Sequence, residues 1–299
     1  MRLFVLFLFV HPFVFLAQLS ADSAKYDMMK NIVSVLADDA MKGRAVGSVE
    51  ELEAYNFIAN SYQEETNQKL KKQKLSFELD SSIIKSCNGY SFLNFHKKQT
   101  IIIGAHYDHI GMGGRLSKSR VNDQIHNGAD DNASGVAMVL ALSKELANLK
   151  NPKYNYLIVF YSGHEVGLYG SFEFFTFLQK KKRKFKDIAL VINFDMVGRL
   201  DPDLLKLKCM VSPNAESFLS HSKPEQFGLK LNLTEVEKLY YLDTREFVKN
   251  NIPCINFTTG IHNDYHATTD DTEYINFDGM LKIEKFMANL MMSSAFTEK

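Results

Sequence analysis

Four short runs of apolar, β-favouring residues punctuate the chain: Thr100–Ala105, Tyr156–Tyr161, Ile188–Phe194 and Cys254–Thr258. Between and after them lie stretches with helical spacing, chiefly Ala133–Leu149 and the closing amphipathic stretch Phe277–Ala295. A run that is apolar on both faces is a strand with a layer on each side. Strands that alternate with helices pair in parallel, because each crossover lays a helix across the sheet. The expected fold is therefore α/β: a mixed, mainly parallel β-sheet sandwiched between helices. With 299 residues, 45% of them hydrophobic, the chain can bury one large core. No internal repeat divides it, so residues 22–299 are expected to form a single domain.

The first residues carry one basic side chain, an apolar run from Leu3 to Leu16 broken at His11-Pro12, and small residues at Ala17 and Ala21. This pattern reads as a signal peptide over residues 1–21, and the apolar run is short for a span of about 20 residues. With no cysteine near the cleavage region to carry a lipid, an exported chain without a stable membrane anchor is expected. A helix is expected over Ser23–Leu36. Ser48-Val49-Glu50-Glu51 then reads as a capping box opening a second, which runs to about Tyr62 and buries Leu52, Tyr55, Ile58, Ala59 and Tyr62. Leu75–Leu79 is strand-like. The run Lys180–Lys186 reads as a solvated helix end rather than an anion patch.

Net charge is zero, so no basic field invites nucleic acid. Cys87, Cys209 and Cys254 are widely separated and form no C-x-x-C pair. They are no metal knuckle; one disulfide with a spare thiol and three buried apolar thiols both remain open.

The chemistry gathers at the strand ends. His106 and Asp108 follow the first apolar run in T-I-I-I-G-A-H-Y-D-H, and Asp130-Asp131 precede a helix in N-G-A-D-D-N-A-S-G. Glu165 follows the second run, Asp195 ends V-I-N-F-D, and His266 lies in D-Y-H-A-T-T-D-D-T. Open α/β sheets bind ligands at this edge. His106, Asp131, Glu165, Asp195 and His266 supply two imidazoles and three carboxylates, a donor set that suits two Zn2+ ions with one carboxylate shared. Asp108 is placed to orient the His106 imidazole.

These segments, with S-G-H-E-V-G-L-Y-G-S, N-F-D-M and the upstream L-A-D-D-A-M-K-G-R-A-V-G-S, resemble the co-catalytic zinc aminopeptidases of peptidase family M28 from about Ala37 to the last helix. The resemblance implies a zinc-dependent exopeptidase fold without the inserted domain of some relatives, acting on peptide substrates through a water held between the metals. It implies His106 and Asp195 on one zinc, Glu165 and His266 on the other, Asp131 bridging both, and a cis bond at Asp131-Asn132. Two positions depart from the pattern. Relatives carry Glu-Glu where this chain has His164-Glu165, so His164 stands at the general-base position. In L-D-T-R-E-F, Asp243 and Phe247 remain but Thr244 replaces a histidine; together with Tyr265 these residues are expected at the substrate pocket. A neutral imidazole accepts a proton and an imidazolium returns it to a leaving amine, so His164 is the candidate catalytic residue. Two alternatives stand beside an aminopeptidase: a silent metal- or peptide-binding protein on the same fold, and a glutaminyl cyclase-like acyltransferase. The pockets of such cyclases use tryptophan, and this chain has none.

Overall fold

The strands of the computed structural model order themselves around the apolar runs. The structure describes residues 11–119, 123–181, 187–235 and 241–298, with the side chains of residues 11–19 outside that description. Helices α1 (His11–Leu36) and α2 (Val49–Thr66) precede strands β1 (Lys71–Leu79), β2 (Ser82–Leu93) and β3 (Gln99–His106). Helix α3 (Gly135–Ala147), β4 (Asn155–Tyr161), α4 (Tyr169–Lys180) and β5 (Asp187–Phe194) follow. The chain continues through β6 (Lys206–Val211), β7 (Lys230–Glu235), α5 (Arg245–Lys249), β8 (Cys254–Thr258) and α6 (Phe277–Met292).

One sheet takes the order β1-β2-β4-β3-β5-β8-β6-β7. Its centre, β4-β3-β5-β8, is parallel throughout, whereas β1, β2 and the β6–β8 pair join antiparallel. Side-chain alternation divides the core. Ile101, Ile103, Ile158, Phe160, Ile192 and Phe257 pack toward α1, α2, α3 and α6. Ile102, Leu157, Val159 and Val191 face Phe174 and Leu178 of α4 and Phe247 of α5. The central strands are apolar on both faces because both faces are covered.

Ser48 caps α2 as expected: its Oγ accepts from Glu51 N at 2.9 Å, and Glu51 Oε2 reaches back to Gly47 N at 2.7 Å. Leu52 departs from expectation. It is 47% exposed, and the buried face consists of Ala54, Tyr55, Ile58 and Tyr62. Helix α1 extends farther toward the N-terminus than the helix expected from Ser23. Strands β2, β6 and β7 were not expected; their lysines and polar residues interrupt the apolar pattern, as in a half-covered strand at a sheet margin. Cys87, Cys209 and Cys254 are buried free thiols, which settles the choice left open above. The expected signal peptide and the lysine run lie partly outside the described residues. No helix among the described residues is long and apolar enough to cross a membrane.

Candidate metal centre

Parallel strands direct their C-terminal ends to one edge, and residues distant in sequence meet there. His106 ends β3, Glu165 lies just beyond β4, Asp195 directly follows β5, and His266 sits in the loop after β8. Asp131 comes from the turn Ala129–Ser134 ahead of α3, where the Asp131-Asn132 bond is cis.

That turn is tied to its surroundings by buried polar groups. Asn132 donates to Phe194 O at 3.0 Å and accepts from Met196 N at 3.0 Å and Gly135 N at 3.1 Å. Asp270 accepts from the backbone N–H of Asp130 and Asp131, both at 3.0 Å, and Arg199 donates to it at 3.2 Å. Fully buried Arg44, from the K-G-R-A-V segment, donates to Tyr107 O at 3.0 Å, Gly128 O at 3.1 Å, Asn127 O and Leu36 O. Burial pulls its pKa down to about 10, while Asp131, Asp108, Asp270 and Glu165 favour its charge. One guanidinium thus joins the end of β3 to the Asp131 turn and sets a buried cation beside an acidic cluster.

Hydrogen bonding fixes the tautomers of the two expected histidine ligands. His106 Nδ1 lies 3.1 Å from Asp108 O, and His266 Nδ1 lies 3.0 Å from Leu116 O. A carbonyl only accepts, so each Nδ1 carries a hydrogen, and in the neutral ring Nε2 has the lone pair. Those two nitrogens face the two oxygens of one carboxylate: His106 Nε2 is 3.4 Å from Asp131 Oδ1, and His266 Nε2 is 3.3 Å from Asp131 Oδ2. Asp195 Oδ1 stands 3.6 Å from His106 Nε2, and Glu165 Oε2 stands 3.2 Å from His266 Nε2. Both Nε2 atoms are buried without a hydrogen-bond partner. Buried nitrogens that face carboxylate oxygens call for positive charge there, a proton on the ring or a metal between the groups. Zinc bonds of about 2.0–2.2 Å in a tetrahedron separate neighbouring donors by about 3.4 Å, so these side chains fit the metal. Burial opposes charge on His106, yet Asp131 and Asp195 hold it well above its ordinary pKa, so without a metal they favour a proton on Nε2. His266 rises to about 10 beside Asp131 and Glu165, and Asp131 falls well below the carboxylate range.

Asp108 acts differently from expectation. Its carboxylate is 3.9 Å from His106 Nδ1, and the backbone carbonyl of the same residue orients the ring. The carboxylate instead accepts from His164 N at 3.1 Å and Glu165 N at 3.2 Å, holding the loop beyond β4 against the end of β3.

His164 lies parallel to His106, with ring centroids 3.8 Å apart and an interplanar angle of 10°. Its Nδ1 donates to Asp243 Oδ2 at 3.0 Å, which leaves Nε2 for the cavity that the ring lines. Burial and His106 lower its pKa, but Asp243 and Asp195 outweigh them and raise it to about 9. His106, His164 and Asp195 form one compact donor group, and His106, Asp131 and Glu165 another, each with its donor atoms within 4.8 Å.

The cavity over the centre measures about 670 Å³ and is mainly apolar, with Leu168, Met196, Met210, Leu242, Ile261 and Tyr265 among its walls. Thr244 and Phe247, expected at this pocket, are fully buried away from it. Thr244 Oγ1 donates to Asn256 at 3.0 Å, and Phe247 packs edge-on against Phe175. Asp243 contacts the site only through His164; Leu242 and Arg245 are the members of that segment on the wall.

One buried residue escaped the sequence reading. His109 Nδ1 donates to Glu165 Oε1 at 3.0 Å and lies 3.8 Å from Asp131 Oδ2. Its room depends on Gly128, at φ +60°, where an added Cβ would stand 2.5 Å from His109 Cδ2. Its position in G-A-H-Y-D-H, on the same strand-end segment as His106, was the available clue.

The comparisons agree with this geometry. Peptidase family M28 matches residues 91–291. A probable leucine aminopeptidase of Arthroderma otae is 26% identical over 236 residues, 66% of this chain and 55% of that protein. A probable zinc metalloprotease of Pyrenophora tritici-repentis is 35% identical over 97 residues, 30% of this chain and 21% of that protein. The chain thus spans about half the length, or less, of these curated relatives. A glutaminyl cyclase of Fimbriiglobus ruber superposes with a TM-score of 0.76 at 15% identity, covering 89% of this chain and 94% of that one. An aminopeptidase of Aneurinibacillus sp. strain AM-1 superposes with a TM-score of 0.73 at 15% identity, covering 92% and 94%. These two speak for the fold alone. The family match spans all five strand-end donors and strands β3 to β8, and the chain belongs to peptidase family M28.

Proposed function

We propose that this chain is an exported zinc-dependent aminopeptidase in which His164 moves the proton that a glutamate moves in its relatives. The observation carrying this reading is the shared carboxylate: each Asp131 oxygen faces one lone-pair imidazole nitrogen, at 3.4 and 3.3 Å. His106, Asp131 and Asp195 would hold one zinc, and Asp131, Glu165 and His266 the other. When bound, zinc supplies Lewis-acid polarisation of the scissile carbonyl and a more acidic attacking water.

The chain's own residues do the rest. Asp243 holds the His164 Nδ1–H; the positive charge of bound zinc would oppose the imidazolium that the metal-free site favours, so Nε2 would accept the proton of the attacking water and return it to the leaving amine as the C–N bond breaks. The ring is held from two sides, by Asp243 at its edge and by His106 against its face. His109 donates to one oxygen of Glu165 and leaves the other facing His266. The cavity that would receive the peptide is walled mainly by apolar side chains.

Hydrolysis of a panel of aminoacyl peptides by zinc-reconstituted wild type, His164→Ala and His164→Glu tests this reading. Wild type should cleave, His164→Ala should lose about 100-fold in kcat at unchanged zinc content, and His164→Glu should keep or raise the rate. An inert wild type beside an active His164→Glu would mark a silenced enzyme. Conversion of an N-terminal glutamine peptide to its pyroglutamyl form, with release of ammonia, would instead mark a cyclase. Export rests on the pattern of residues 1–21. Mass spectrometry from the native host should find an N-terminus between Ala17 and Ala24, and an intact Met1 would contradict it.

A further inference from the structure

The cavity over the centre carries a cation that the hydrolytic reading does not use. Lys208, on β6, lines the cavity wall, is exposed, and stands between Thr258 and Asn232 of the flanking strands. Among the described residues it makes no ion pair. Two other charged residues outside the centre, Arg245 and Glu235, line the same cavity. Arg245 donates from Nε to Glu246 at 3.1 Å, and Glu235 lies at the end of β7, opposite Val211 rather than Lys208.

The position of Lys208 is built rather than incidental. It sits opposite Thr258 of β8, whose Oγ1 donates to Met196 O beside Asp195. Its stem runs over Gly260, at φ +101°, where an added Cβ would stand 2.8 Å from Nζ. A side chain at position 260 would push the lysine aside, and glycine leaves the path open. From β5 through β8 to β6 is two strand spacings, about 10 Å, within reach of a residue whose scissile bond lies at the centre.

We infer that Lys208 selects substrates bearing a carboxylate near the scissile bond, either an acidic N-terminal side chain or the C-terminal carboxylate of a short peptide. This rests on the aminopeptidase reading for the orientation of the substrate, but its recognition chemistry is separately measurable. An ammonium at the cavity wall gains more from a carboxylate than from the uncharged isosteric amide.

Calorimetric binding to zinc-reconstituted protein separates the two sources. Glutamic acid α-amide against glutamine amide reads the side chain, and Leu-Leu against Leu-Leu-amide reads the C-terminus. In one of the two pairs the carboxylate member should bind about fivefold tighter, and Lys208→Met should erase the difference. Lys208→Glu should reverse it. Equal binding within both pairs, or a preference that survives Lys208→Met, overturns the inference. Hydrolysis of leucyl peptides without any carboxylate preference would leave the aminopeptidase reading standing and this one fallen. A Lys208-dependent preference in a protein that hydrolyses nothing would do the reverse.

Discussion

The two halves of the centre share Asp131 and differ in their third imidazole. On the Oδ1 side, His106 and Asp195 are joined by His164, which stacks on His106, takes a carboxylate partner of its own in Asp243 and lines the cavity. On the Oδ2 side, Glu165 and His266 are backed by His109, which is buried and spends its Nδ1–H on Glu165. Two imidazoles beside the expected donors thus take different partners. One lines the cavity, and the other hydrogen-bonds an expected ligand. A histidine in the shell of a metal centre takes its role from what its other nitrogen touches.

Removing the shared member should abolish the comparison altogether. Asp131→Ala is expected to lose both metals, read as zinc per chain after reconstitution; retention of one would show that the halves are independent. The two imidazoles should then separate by observable. His164→Ala should lower kcat about 100-fold with zinc content intact, whereas His109→Ala should weaken zinc affinity about 10- to 100-fold, chiefly at one site. An exchange of those phenotypes would reverse the assignment. Asp243→Asn keeps the shape but can present an amide N–H to His164 Nδ1, favouring the wrong tautomer. It should lower kcat about 30-fold with KM little changed, a smaller loss than removing the ring.

The mildest effect on either half belongs to Glu51, which buttresses the end of β4 through Ser162 and Ser86 and touches no expected ligand. Burial raises its pKa to about 7, against hydrogen bonds from Ser162, Ser86 and Gly47 that favour the carboxylate. With a folded pKa above the unfolded value of 4.5, the native state binds more protons between the two. Stability should therefore fall as pH rises from about 4.5 to 7, by an amount on the order of 2–3 kcal/mol. Denaturant titrations of wild type and Glu51→Gln should show a shallower decline in the variant, and parallel profiles would remove Glu51 from this role.

How much of this was legible beforehand follows from where polarity and apolarity agree. The four central strands and their terminal His, Asp and Glu residues stood out because a fully covered strand is apolar throughout and a charged residue at its end is conspicuous. Strand β6 was hidden by Lys206 and Lys208 on its open side, although K-L-K-C-M-V alternates as a half-covered strand should. The role of Asp108 was misread because side-chain spacing cannot tell a carboxylate from the carbonyl of the same residue. Thr244 and Phe247 were placed at the pocket by resemblance, but they turn inward from α5 and its cap, a direction set by tertiary packing. His109 was passed over because one histidine sufficed for the motif.

The reading of the centre stands most directly on its capacity for metal. Purified protein, stripped with chelator and reconstituted with excess zinc before desalting, should retain two zinc ions per chain by elemental analysis. One equivalent, or none, in a sample whose circular dichroism shows the fold intact would contradict the shared-carboxylate centre.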